Sequence, residues 1–104
     1  MKGARLTAAA QGLRKREGLA PLRLLPALAK VAQLHAEKMA AEGKVYHSRH
    51  RGGEVVAGGF RSSELAVRGW RRSRSHWRIL RGARSAGFGE ATGTKGRVYY
   101  VGCF

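Results

Sequence analysis

Cysteine occurs once in this chain, at Cys103. That excludes an internal disulfide and any cysteine-based zinc cluster, though it does not fix the redox compartment. Acids are nearly as scarce. All six are Glu, and there is no Asp and no Asn. Against them stand 21 Lys and Arg, so the formal charge is +15. Such an excess predicts salt-dependent attraction to polyanions. Isoleucine appears once, and Arg outnumbers Lys, as a GC-rich coding source would produce. Composition drift accounts for part of the arginine but not for the missing acids. Long apolar runs are also lacking, so no segment reads as a membrane span. The opening residues do not read as a signal peptide: their short apolar stretch holds Gln11 and Gly12 and runs into Arg14, Lys15 and Arg16. The expectation is a cytosolic chain, or a mature or excised piece of something longer.

What is present is enough for one modest core. Of the 104 residues, 43% are hydrophobic and spread throughout, which suits a single domain over 1–104. Leu6, Ala9, Ala10 and Leu13 fall at helical spacing, with Arg14, Lys15 and Arg16 in the last turn and Gly18 as the stop. Pro26 is placed to begin a second helix, with Leu28, Val31, Ala32, His35 and Met39 on its buried face and Gly43 at its end. Lys30, Gln33, Glu37 and Lys38 fall mostly off that face.

Val45-Tyr46-His47 is expected to start a strand, and Ser48 to Gly53 to form a basic turn with a solvated His50. A short strand over Glu54 to Ala57 follows. Ser62 or Ser63 caps a third helix with Glu64 in its first turn, and a shorter helical segment holds His76 to Leu80. The stretches Ser85 to Thr92 and Arg97 to Phe104, split by Gly93-Thr94-Lys95-Gly96, read as a β-hairpin. Its last strand is apolar on both faces: Val98, Tyr100 and Phe104 on one, Tyr99, Val101 and Cys103 on the other. Both faces must therefore be covered, and helices are the available cover. The expected class is α+β, a three-layer α-β-α sandwich around a small, mainly antiparallel sheet.

Several segments together resemble the CAP (SCP-like) superfamily of cysteine-rich secretory proteins, venom antigens and plant pathogenesis-related proteins. The helix from Leu28 to Ala40 is similar to the second helix of bacterial members. Tyr46-His47-Ser48 resembles the first histidine motif, and Gly53-Glu54-Val55-Val56-Ala57 the Gly-Glu-Asn-Ile-Ala segment. Trp70 followed by Ser73-Arg74-Ser75-His76 resembles the Trp and Ser-Pro-Gly-His stretch, and Gly87-Phe88-Gly89 with Arg97 to Val101 the closing hairpin. The resemblance implies an α-β-α sandwich with a cleft lined by His47, Glu54, Glu64 and His76. It implies that His47 and His76 can bind a divalent metal, often zinc, and that the setting is extracellular or at the cell surface; the residues alone leave the cytoplasm open. It implies no particular reaction or ligand. The chain departs from the pattern at Val55, at Arg74-Ser75 and in the short connection from His47 to Glu54, so a shortened scaffold without activity stands as an alternative.

By spacing alone, His47 and His76 are far apart and no His-Glu-x-x-His helix is present. A metal-free His/Glu network is the structural alternative, with Glu54 pairing with Arg49, Arg51 or His76. A second candidate feature is basic. Arg68, Arg71, Arg72, Arg74 and Arg78 share a short span with Trp70 and Trp77. Arginines grip phosphates and exposed aromatics stack on bases, which would suit nucleic acid or an anionic cell-envelope polymer. The alternative is a solvated basic helix with buried tryptophans. Cys103 and His35 read as core residues.

Overall fold

The computed structural model describes residues 2–104. The elements run α1 (Ala4–Arg16), β1 (Arg23–Leu24), α2 (Pro26–Glu42), β2 (Glu54–Gly58), α3 (Ser63–Arg72), α4 (Arg74–Gly82), β3 (Ser85–Thr92) and β4 (Val98–Cys103). The four strands form one sheet in the order β1-β3-β4-β2. The hairpin pairs antiparallel from Gly87↔Cys103 to Thr92↔Val98, and β2 adds antiparallel to β4 from Glu54↔Cys103 to Gly58↔Tyr99. Only β1 runs parallel, pairing Arg23 with Ser85 and Leu24 with Ala86. The fold is thus α+β with a mixed, mainly antiparallel sheet.

The two apolar faces of β4 divide the interior as their alternation requires. Tyr100, Val98 and Phe104 join Leu6, Leu13, Val55, Val67, Trp70, Leu80 and Phe88 under α1, α3 and α4. Tyr99, Val101 and Cys103 join Ala32, Ala36, Met39 and Val56 under α2. α2 lies unusually close to β3, because Gly87 and Gly89 present no side chain there. A Cβ at Gly89 would sit 2.5 Å from the backbone N and Cα of Gln33, and one at Gly87 would strike the backbone of Ala29.

Local chemistry sets the helix ends. Pro26 occupies the first turn of α2, where its missing N–H costs nothing. Gly43 closes α2 with φ +70°, a conformation that L side chains rarely adopt. Ser62 caps α3 by accepting from the Leu65 amide at 3.1 Å. Arg14, at the end of α1, is buried and donates to the carbonyls of Ala20, Leu80 and Arg81 at 2.7–3.2 Å. It ties α1 to the unsatisfied carbonyls at the end of α4.

Some sequence expectations change. Val45 to His47 is irregular chain, not strand, because β2 already fills the open edge of β4. Tyr46 packs instead on α2, edge-on to His35 with ring centroids 4.9 Å apart. Val31 is 38% exposed, outside the face on which Ala32, His35, Ala36 and Met39 are buried. Gln33, expected off the packing face, clamps the backbone of Glu90: its amide donates to the Glu90 carbonyl at 2.9 Å and accepts from the Glu90 N–H at 3.0 Å. It satisfies β3 where β1 has ended. The two-residue β1 falls within Leu19 to Leu25, which by sequence is expected to be a short apolar connection containing Pro21. His50 is half-buried, with Nε2 3.0 Å from the Phe104 carbonyl oxygen.

Candidate functional site

The site forms where the 44–49 segment crosses the first residue of β2. Glu54 points toward the α2 side, beside its strand partner Cys103, and its side chain is only 5% exposed. A buried carboxylate needs partners. Glu54 accepts from His47 Nδ1 at 2.8 Å, from the Ser48 amide at 2.8 Å and from the Ser48 hydroxyl. Burial alone would raise its pKa. The hydrogen bonds from Ser48 and His47, with the charge of His35, outweigh burial and hold it below the ordinary carboxylate value. The same bond fixes the His47 ring: Nδ1 carries the proton toward Glu54, and the remaining nitrogen belongs to a side chain 62% exposed.

His76, in the first half of α4, is half-buried. Its Nδ1 is buried without a hydrogen-bond partner among the described residues. Burial, then the charge of His47, pushes its pKa down. His76 therefore feels the charge of His47, although no hydrogen bond joins the two rings.

Glu64 falls elsewhere. The buried face of α3 is Ser63, Ala66, Val67 and Trp70. Glu64 sits one step off that face, exposed, and lines a groove between α1 and α3 with Arg16 and Arg68. Among the described residues, no group of three or more His, Cys, Asp or Glu side chains gathers in a metal-binding arrangement. Neither Arg49 nor Arg51 pairs with Glu54; His47 and Ser48 take that role. Ser48 is the member that sequence reasoning left without a function. Its signal was present, since a hydroxyl beside a motif histidine suits a nearby carboxylate. Cys103 is fully buried, and burial with the adjacent Glu54 charge raises its thiol to about 12, so it is no nucleophile.

The arginine cluster divides. Arg71 pairs with Glu17 at 3.2 Å and lies over the Trp77 ring at 4.5 Å. Arg68, Arg72, Arg74 and Arg78 are exposed, and none forms an ion pair with the described residues. Trp70 is buried and donates to the Val56 carbonyl at 3.2 Å, so it cannot stack on a base. Arg71 shields one face of Trp77.

With this geometry in view, comparison with known proteins is decisive for the family. The profile of the cysteine-rich secretory protein (CAP) family matches residues 7–104. The chain belongs to the CAP family. Its fold is similar to that of an outer surface protein of Borrelia burgdorferi, with a TM-score of 0.78 and 22% identity over 93% of this chain and 86% of that one. It is also similar to an extracellular SCP-domain protein of Bacillus anthracis, with a TM-score of 0.71 and 17% identity over 98% of this chain. A cysteine-rich secretory protein of Staphylococcus aureus gives a TM-score of 0.61 and 17% identity over 94% of this chain. This CAP chain spans 41% and 37% of the latter two. A search of curated proteins returns no match. Among the described residues, no helix is long and apolar enough to cross a membrane.

Proposed function

We propose that this CAP domain binds a divalent cation of the zinc type between His47 and His76, at the edge of β2. The observation that carries this reading is the bond from His47 Nδ1 to buried Glu54 at 2.8 Å. A carboxylate on one ring nitrogen orients the imidazole and raises its basicity, as the outer partners of metal-binding histidines do. Two imidazoles suit zinc and leave coordination positions open. A cation bound there would supply Lewis acidity to a water or ligand. The chain's own residues hold the rings: Glu54 fixes His47, and Ser48 fixes Glu54. His76 has no comparable partner on Nδ1, so it is the less firmly oriented donor. This asymmetry favours a loosely held, exchangeable cation over a structural one. An extracellular or cell-surface setting, as the names of two neighbours state for those proteins, belongs to the same proposal.

Titration calorimetry with zinc chloride on EDTA-stripped protein tests the reading. Wild type should release saturable heat, a His47→Ala/His76→Ala double variant none, and Glu54→Gln less than wild type. Absence of heat in wild type overturns it.

A second reading rests on a separate observation, the exposed and unpaired Arg68, Arg72, Arg74 and Arg78 on α3 and α4. They suit the backbone of an anionic polymer, nucleic acid or cell-envelope polymer, gripped without base stacking because Trp70 is buried. Binding of a labelled single-stranded DNA should fall steeply with salt. The slope should flatten when Arg72, Arg74 and Arg78 are changed to Gln. Salt-independent binding would exclude it.

A further inference from the structure

Next to the proposed cation site, between α2 and the 46–49 segment, runs a groove of about 610 Å³ that His47 itself helps to line. Val31, Leu34 and Lys38 recur at helical spacing along one wall, and Tyr46 to Arg49 form the other. Leu34 is 58% exposed and Val31 38%, and both lie on this wall, so the groove leaves an apolar strip in water.

The charges around this apolar strip have one sign. Lys38 and Arg49 line it, and no carboxylate does. Acids on the flanking segments are committed: Glu54 to His47 and Ser48, Glu42 to the Tyr46 hydroxyl at 2.6 Å, and Glu37 to Lys2 and Gln33. We infer that this groove docks an extended acidic peptide segment of a partner protein, with an apolar side chain on Val31 and Leu34 and a carboxylate against Lys38 and Arg49.

Two other occupants fit less well. A second copy of this chain carries +15 itself and would set like charges together. An acyl chain gains from full enclosure, and this groove is open to solvent beside the exposed Leu34. An extended peptide needs no enclosure: successive side chains point to opposite sides, so one set packs while the other stays wet.

The probe is a fluorescein-labelled peptide of alternating Glu and Leu, read by anisotropy in EDTA at physiological ionic strength. Chelator keeps this test apart from the metal: zinc heat and peptide binding can fail independently. Leu34→Glu and Arg49→Glu should each weaken binding about tenfold, Lys38→Glu similarly, because each removes a contact or reverses a charge in the groove. Leu65→Glu, at another exposed leucine on α3, and Arg5→Glu, with the same charge change at an exposed site on α1, should leave it unchanged. All five sites are exposed, and circular dichroism checks that each variant folds. The inference is overturned if Arg5→Glu weakens binding as much as Arg49→Glu, if a Lys-Leu peptide binds equally, or if no saturable binding occurs. It is also overturned if the wild type self-associates and Leu34→Glu abolishes this, or if anionic phospholipid vesicles bind through Leu34 while the peptide does not compete.

Discussion

At the scale of single residues, Glu54 carries the most chemistry for its size. It is buried, charged and held by three donors, so replacing it with Gln keeps the shape and removes the charge that those donors face. Glu54→Gln should cost about 1–3 kcal/mol in urea denaturation, because the donors from His47 and Ser48 lose their ionic partner. Its lowered pKa also sets a sign. The unfolded chain takes up the proton more readily, so Glu54 stabilises the fold above the ordinary carboxylate range and that contribution disappears as pH falls through its folded value. His76 acts in the same direction at higher pH. Its pKa is depressed, so its contribution is complete above the ordinary value of about 6.5 and is lost on acidification below it. Metal-free protein should therefore lose stability as pH drops from 7 to 5 (roughly the imidazole range), and His76→Phe should flatten that slope in denaturation curves taken across the range.

At the scale of elements, the seam between α2 and β3 depends on atoms that are missing. Gly89→Ala would force a methyl group against the Gln33 backbone, which cannot retreat without lifting α2 from the sheet. Loss of several kcal/mol, or failure to fold, is expected. Gly12, in the middle of α1, is the control. A Cβ there meets only the flexible end of Arg16 at 3.5 Å, so Gly12→Ala should stabilise by about 0.5–1 kcal/mol. Thermal melts of the two variants should move in opposite directions. The other seam, between α1 and α4, runs through Arg14. Arg14→Met fills similar space but leaves carbonyls of Ala20 and Leu80 without their charged donor. It should cost about 3 kcal/mol by the same denaturation assay.

Over the whole molecule, charge imbalance dominates. At +15 on 104 residues, most cations face others of the same sign, and only two Lys or Arg ion pairs, Lys2–Glu37 and Arg71–Glu17, occur among the described residues. Self-repulsion opposes the compact state and is screened by salt. The melting temperature should rise when sodium chloride is raised from about 10 mM to 150 mM, a range over which the Debye length shrinks severalfold. A flat response would mean that the cations are spaced widely enough to ignore one another.

The elements themselves were written locally. Pro26 and Gly43 bound α2, Ser62 opens α3, and the two apolar faces of β4 required helices on both sides; each is a matter of neighbours in sequence or of period. By sequence, Glu54 is expected to pair with Arg49, Arg51 or His76, and its partner proves to be His47, seven residues before it. What only the tertiary structure decided was which surfaces meet. Two glycines on β3 drew α2 down until Gln33 could replace a missing strand, which no period in α2 announces. Rotation of α2 then left Val31 and Leu34 in water. Rotation of α3 placed Glu64 in the groove beside α1, and the docking of α4 decided how far His76 is buried. A helix states its own apolar stripe in sequence, but its depth and angle on the sheet depend on side chains supplied by a strand that lies tens of residues away.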